Sequence, residues 1–130
     1  MQNITLTAMT GLLGRVALAA IFLLAGVNKI GAYAATQAYM ESMGVPGILL
    51  PAVIALEIIG AVAVIAGFRA RLAAIGLAAF SVLSALIFHF DLADQMQFIL
   101  FFKNVAMAGG LLVLAANGPG ALSLDARRAA

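Results

Sequence analysis

Four long apolar runs alternate with short polar connections along this 130-residue chain. The runs cover about residues 11–28, 46–67, 72–88 and 98–116. Each is close to the roughly 20 residues that an α-helix needs to cross the hydrocarbon core of a bilayer. The pattern therefore predicts an all-α membrane protein, built as a bundle of four transmembrane helices.

The first run has a competing interpretation as a cleaved signal peptide, because Ala32-Tyr33-Ala34 resembles a small-x-small cleavage site. Three features oppose that interpretation. No lysine or arginine precedes the run, Arg15 lies inside it, and Lys29 lies ahead of the cleavage position. An uncleaved span is therefore favoured.

Lysines and arginines are distributed unevenly between the two ends of the predicted bundle. One end carries the connection with Arg69 and Arg71 and the tail with Arg127 and Arg128. The connections at the other end contain one cation and three acids, namely Lys29, Glu41, Asp91 and Asp94. Because cytoplasmic loops are enriched in lysine and arginine, both termini are predicted to lie in the cytoplasm.

Three shorter segments predict how the helices are joined and packed. The connection 31–44 is long enough for an interfacial helix, and its tyrosines suit the headgroup layer. Ala70, Ala74 and Ala78 recur every four residues and favour a close approach of the third helix to a neighbour. After the turn at 117–120 the tail has three open roles: docking on the bundle, receiving a cytosolic partner, or anchoring on anionic lipid, which is favoured.

Composition narrows the class of protein. Hydrophobic residues make up 65% of the chain, charged residues 9%, and the mean hydropathy is +1.17. A soluble domain carries about 25% charged residues, so this chain could not cover a water-facing surface. The net charge of +2, without a basic run, gives no support for nucleic-acid binding. The length allows one domain, residues 1–130.

The lack of cysteine restricts the redox chemistry of the chain. It excludes disulfide exchange, thiolate metal sites and iron–sulfur clusters built by this chain alone. One histidine with scattered acids makes a poor metal or haem site, so neither is predicted. Any redox chemistry must therefore come from a bound small molecule or a partner.

Lys103 lies within the fourth apolar run, where a cation is costly unless it faces protein or water. Its expected partner is Glu57, the one acid deep in another apolar run. Counting residues at the helical rise places Lys103 within reach of Glu57, with Arg15 approaching Glu57 from the opposite side. Two interpretations stay open: a structural ion network, or a ligand site with one cation in excess.

Four further residues are candidates for the same site. His89 ends the third run and suits proton exchange with a quinone carbonyl, although an interfacial role is favoured. Phe102 suits stacking on a flat ring beside Lys103, although a lipid-facing role is favoured. Asn104 either binds ligand or hydrogen-bonds to a neighbouring helix. Lys29 joins them as a ligand-binding candidate near one end of the first span.

Three blocks of the sequence together resemble the DoxX family: GRVALAAIFLLAGVNKI, ALEIIGAVAVIAGFRARLAAIGL and KNVAMAGGLLVLAANGPGALSLD. The likeness extends from about residue 11 to 125, and the last block is the most specific. It implies a four-helix protein of the bacterial inner membrane. The family takes its name from a small subunit of a thiosulfate:quinone oxidoreductase, whereas its mycobacterial members look like membrane scaffolds. The resemblance therefore implies the fold more firmly than the chemistry.

These observations predict an inner-membrane subunit of an oxidoreductase system that binds a quinone or a similar amphiphile, and leave open whether the chain is itself an enzyme. The alternative is a non-catalytic scaffold whose buried charges are structural. A solute or proton carrier is disfavoured, since no broken helix marks a transporter repeat. Expected partners are membrane lipid, a quinone, an oxidoreductase or other protein subunit, and a second copy of the chain. The candidate catalytic residues are Glu57, Lys103 and His89, and the candidate ligand-binding residues are Arg15, Lys29, Phe102 and Asn104.

Overall fold

The structure, a computed structural model, describes residues 5–129, and that part of the chain contains no β-strand. The helices are α1 (Leu6–Gly31), α2 (Tyr33–Ser42), α3 (Leu50–Ala66), α4 (Ala70–Phe88), α5 (Gln95–Asn117) and α6 (Leu124–Ala129), with a 3₁₀ helix at Gly47–Leu49. Four of them are long and apolar enough to cross a membrane: α1, α3 with its 3₁₀ turn, α4 and α5. The predicted all-α, four-helix membrane bundle is confirmed.

Polar caps move several helix ends away from the ends of the apolar runs. The hydroxyl of Thr5 accepts a hydrogen bond from the N–H of Ala8 (3.1 Å), so α1 begins five residues before its apolar run. Asp94 caps α5 in the same way. By contrast, α3 begins late, at Leu50, with Pro51 in its first turn. The 3₁₀ turn Gly47–Leu49 comes directly before it and belongs to the same span.

Small residues let the helices approach closely. Ala70, Ala74 and Ala78 are all buried, as their spacing predicted. The side chain of Leu77 packs against α3 at Gly60, where a Cβ would lie 3.1 Å from it. Helix α1 packs on α3 and α4 packs on α5, whereas α1 and α5 touch at few places. The shared core consists of Ala19, Phe22, Ala61, Val64, Ala74, Leu77, Ala78, Ala108 and Leu111.

The C-terminal tail folds back onto the turn between α3 and α4, at what we call the tail end of the bundle. The carboxylate of Asp125 accepts hydrogen bonds from the N–H groups of Arg69 (2.7 Å) and Ala70 (2.9 Å), and so caps α4. The N–H of Asp125 donates to the carbonyl of Gly67 (2.9 Å). Gly67 has a φ of 71°, and a Cβ there would collide with Ser123. Docking of the tail, one of its three predicted roles, is confirmed.

Helix α2 covers the opposite end of the bundle, which we call the Lys103 end. The ring of Tyr39 stacks on Phe88 at the end of α4, with ring centroids 5.3 Å apart. The Nε2 of Gln37 donates to the carbonyl of Gly47 (3.3 Å), which ties α2 to the 3₁₀ turn. The helix predicted in the connection 31–44 is therefore present, and it forms a roof over the long helices.

Candidate functional site

A cavity of about 490 Å³ lies between the four long helices at the Lys103 end, beneath α2. Most of its wall is apolar and includes Phe22, Val53 and Met107. Its polar lining includes Lys29, Thr36, Glu57, Ser81, Ser84, His89, Lys103 and Asn104. Ligand cavities typically measure about 300–1,000 Å³, so this one has a usual size. The cavity brings together most of the predicted site residues.

Glu57 and Lys29 form an ion pair inside this cavity. The Nζ of Lys29 lies 2.8 Å from Oε1 of Glu57. This contact is the one salt bridge within residues 5–129. Glu57 is 3% exposed, and its Oε1 has no hydrogen-bond partner of good geometry, so the contact is mainly one of charge. The opposite charge lowers the large cost of burying a carboxylate.

The predicted ion pairs of Glu57 with Lys103 and with Arg15 are wrong. Because α3 begins only at Leu50, Glu57 lies seven residues, or about 10 Å, from the start of the helix. Its salt bridge is with Lys29 on α1, and not with Lys103 or Arg15. Lys29, two residues before the end of α1, lies at the same level and takes the place of the predicted partners.

Gly26 brings α1 and α3 together next to the ion pair. A Cβ at this position would lie 2.7 Å from Cγ1 of Ile58 and 3.2 Å from Cβ of Glu57. Only a hydrogen atom fits in that space. Lys29 is three residues further along α1 and so on the same face of the helix. The close approach at Gly26 therefore sets the Lys29 ammonium beside the carboxylate.

Arg15 belongs to the tail end and not to the cavity. Its guanidinium is buried, and Nη1 donates to the carbonyls of Val64 (3.1 Å) and Ile65 (3.0 Å). Its Nη2 donates to the carbonyl of Leu122 in the tail. The last carbonyls of a helix have no partner within the helix, so Arg15 satisfies the end of α3 and ties it to the tail. Arg15 and Lys29 are about 21 Å apart along α1, so Arg15 does not line the cavity that Lys29 lines.

Lys103 and Asn104 reach the cavity from α5. Within the described range of the chain, Lys103 has no ion-pair partner. Asn104 is buried, and its Nδ2 donates to the carbonyl of Ser81 on α4 (3.1 Å). The predicted hydrogen bond of Asn104 to a neighbouring helix is confirmed. Lys103 is therefore the cation in excess at this site.

His89 lines the cavity, whereas Phe102 does not. The Nδ1 of His89 lies 2.8 Å from Oε1 of Gln97. Because an amide oxygen only accepts, Nδ1 is the donor in this contact, which orients the ring. The ring of Phe102 is 46% exposed and packs on Phe98, with centroids 4.9 Å apart. The structure thus places His89 in the candidate site and leaves Phe102 on the outer surface.

Sequence reasoning missed three groups that shape the cavity. Tyr39 and Phe88 form its roof, but they lie on different helices, so no local spacing connects them. Ser84 lines the cavity from α4 and was not among the predicted site residues. Gln97 had a usable signal, because an amide eight residues after the lone histidine, across a short turn, is well placed to orient His89.

The family model named DoxX matches residues 10–90, more than half of the chain. The chain belongs to the DoxX family. Inner membrane protein YqjF of Escherichia coli (strain K12) is 46% identical over 114 residues, which cover 88% of this chain and 88% of that protein. Inner membrane protein YphA of the same strain is 37% identical over 123 residues, which cover 89% and 88%. No solved structure matches the chain.

The DoxX match contains only part of the candidate site. It includes Lys29, Glu57 and His89, and it ends before Lys103 on α5 and before the tail. Together with the four apolar helices, the DoxX relatives show a multi-pass inner-membrane protein.

Proposed function

We propose that this protein is an inner-membrane subunit of an oxidoreductase system and binds a quinone or a similar amphiphile in the cavity at the Lys103 end. The observation that carries the proposal is a largely apolar cavity whose charged lining has one cation in excess, through Lys29, Glu57 and Lys103. Such a cavity suits an amphiphile, which presents a polar head and an apolar body.

The three charged residues would divide the work between them. Lys29 and Glu57 balance each other at 2.8 Å, which leaves the charge of Lys103 available. Lys103 lines the cavity but is exposed on a membrane-spanning helix, where an unpaired ammonium is costly, and an anionic or carbonyl group would offset that cost. Lys103 would therefore bind the polar head of the ligand. The Lys29–Glu57 ion pair would contribute to the electrostatic potential at that head.

The residues present fit a quinone. When bound, a quinone supplies the capacity to accept electrons together with protons. Lys103 would donate a hydrogen bond to one of its carbonyl groups, and Nε2 of His89 would exchange a proton at the edge of the cavity. The roof made by Tyr39 and Phe88 would limit the entry of water from above.

A partner subunit that donates electrons is part of the proposal. The chain has no cysteine. Within residues 5–129, no three His, Asp or Glu side chains come together as metal ligands. A redox centre that serves the bound ligand would therefore belong to the partner.

We further propose that both termini face the cytoplasm, because Arg69, Arg71, Arg127 and Arg128 all belong to the tail end. The cavity would then lie in the periplasmic half of the membrane. Since the chain has no cysteine, Ala129→Cys gives a single labelling site. A membrane-impermeant maleimide should label it in broken cells and spare it in intact spheroplasts, whereas labelling in spheroplasts would reverse the orientation.

A non-catalytic scaffold is the second candidate function. It is favoured by the closed arrangement of the deepest charges, since Glu57 is already paired with Lys29 and Arg15 donates to three backbone carbonyls. In that case these charges stabilise the bundle, and the cavity holds no specific ligand.

Mass spectrometry of small molecules extracted from the purified protein separates the two functions. We expect wild type to retain a stoichiometric quinone or other amphiphile, and Lys103→Met to lose it. Arg71→Met removes a cation at the tail end that lines neither the cavity nor the groove, and should retain the ligand. Thermal unfolding of each variant checks that loss of ligand is not loss of fold. A ligand-free wild type, or Lys103→Met with its ligand still bound, would contradict the proposal and favour the scaffold.

A further inference from the structure

A second amphipathic surface lies at the tail end, far from the cavity. A shallow groove of about 500 Å³ is lined there by side chains that include Ala66, Leu122, Leu124 and Arg127. Ala66 is the last residue of α3, so the groove lies at the level where this membrane-spanning segment ends. The groove combines an apolar floor with a cation.

Two more cations lie over the ring of Phe68, also at the tail end of the bundle. The guanidinium carbons of Arg69 and Arg128 lie 5.9 Å and 5.4 Å from the centre of the Phe68 ring. The ring is 40% exposed, so an apolar side chain and two cations share one surface. Cation–π contacts hold guanidinium groups near a ring without using their N–H donors.

Asp125, the acid at this surface, does not accept hydrogen bonds from the guanidinium groups of Arg69 and Arg128 either. Asp125 directs both carboxylate oxygens to backbone N–H groups at the start of α4, and it forms no ion pair within the described residues. Arg71 is engaged, because its Nη1 donates to two carbonyls at the end of α5. Within residues 5–129, Arg69, Arg127 and Arg128 therefore keep their side-chain donors for a ligand.

We propose that this surface is a binding site for an anionic phospholipid. The phosphate would lie among Arg69, Arg127 and Arg128, and an acyl chain would follow the groove past Leu122 and Leu124. A lipid suits the surface better than an acidic protein does, because the apolar floor continues from the end of a membrane-spanning helix, at the depth where headgroups meet hydrocarbon. The site is separate from the cavity and does not depend on the quinone proposal.

A single tryptophan can report on lipid at this site. The chain has no tryptophan, and Phe68→Trp keeps an aromatic ring beside Arg69 and Arg128. The variant is reconstituted in mixed vesicles of phosphatidylglycerol and phosphatidylcholine, with the acyl chains of one or the other lipid brominated. Brominated phosphatidylglycerol should quench the fluorescence more than an equal fraction of brominated phosphatidylcholine. Thermal unfolding checks that the variant is folded.

Arginine variants of the Phe68→Trp protein and a second tryptophan position test the proposal. Arg127→Gln with Arg128→Gln should reduce the preference for phosphatidylglycerol by up to about fivefold per arginine, whereas lysine at both positions should keep most of it. Phe90→Trp, in the wild-type background, places the reporter at an exposed position of the Lys103 end and should show no preference. Equal quenching by the two lipids at residue 68, or a preference that survives the double glutamine change, would overturn the proposal and leave the surface to a protein partner.

Discussion

Two double-mutant cycles on the buried charges test how the structure pairs them. The first combines Arg15→Met with Glu57→Gln, and the second combines Lys29→Met with Glu57→Gln. Arg15 binds carbonyls at the tail end, about 21 Å along α1 from Lys29, whereas Lys29 lies 2.8 Å from the Glu57 carboxylate. We expect the first pair of changes to be additive and the second pair to be coupled.

The contacts of each side chain set the expected magnitudes. Arg15→Met removes three charge-assisted hydrogen bonds of about 1.5 kcal/mol each. Because the carbonyl of Val64 also accepts from the N–H of Gly67, the free energy of unfolding should fall by about 3 to 4 kcal/mol. Arg15 and Glu57 should be additive to within about 0.5 kcal/mol. Lys29 and Glu57 should show a coupling of about 1 to 3 kcal/mol, because each single change leaves a charge unpaired and the double change leaves none.

The free energy of unfolding is measured by SDS titration in mixed micelles, followed by circular dichroism. Arg15→Lys is the matched control, because it keeps the charge but cannot present a planar fork to several carbonyls. It should recover less than half of the stability lost in Arg15→Met. A coupling above about 1 kcal/mol between Arg15 and Glu57, or none between Lys29 and Glu57, would refute the pairing.

Two further changes test the packing at the two ends of the bundle. Gly26→Ala should lower the melting temperature, because its Cβ would lie 2.7 Å from Ile58, whereas Gly14→Ala, whose Cβ meets nothing within 4 Å, should raise it slightly. Equal shifts of the melting temperature in the two variants would contradict the close approach of α1 and α3. At the tail end, the backbone N–H of Ala70, helped by the N–H and charges of nearby arginines, holds the pKa of Asp125 below its usual range. Docking of the tail is therefore fully stabilised above about pH 4 and weakened as the pH falls through the lowered pKa. The protection factors of amides 124–129, which correct for the intrinsic pH dependence of hydrogen exchange, should fall at acid pH in wild type and already at pH 7 in Asp125→Asn; protection factors that are unaffected by either change would speak against this cap.

The two ends of the bundle use their charges differently. At the tail end, Arg15, Arg71 and Asp125 all bond to backbone groups at helix ends, where the helix leaves donors and acceptors unpaired. At the Lys103 end, Lys29 and Lys103 line a cavity instead. Charges at the tail end thus satisfy helix ends, whereas charges at the other end line a cavity, so variants of the cavity residues are the ones that test the proposed binding.

The sequence by itself determined the class of fold, because the length of an apolar run and the scarcity of charge are properties read along the chain. Four runs predicted four spanning helices, and the structure has them. The polar residues isolated in those runs were also recognisable, since an unpaired polar group in hydrocarbon is costly and its position can be read from the sequence alone. Glu57, Lys103 and Asn104 were candidates for that reason, and they do line one cavity.

Only the tertiary structure decided which of these residues meet. The sequence placed Glu57 between Lys103 and Arg15, whereas the packing of α1 on α3 at Gly26 brings Lys29 to within 2.8 Å of its carboxylate. The approach of α1 to α3 at Gly26, and the roof that Tyr39 makes with α4, join segments far apart in the chain. Contacts of this kind depend on which helices become neighbours and at what height, and no local pattern of residues carries that information.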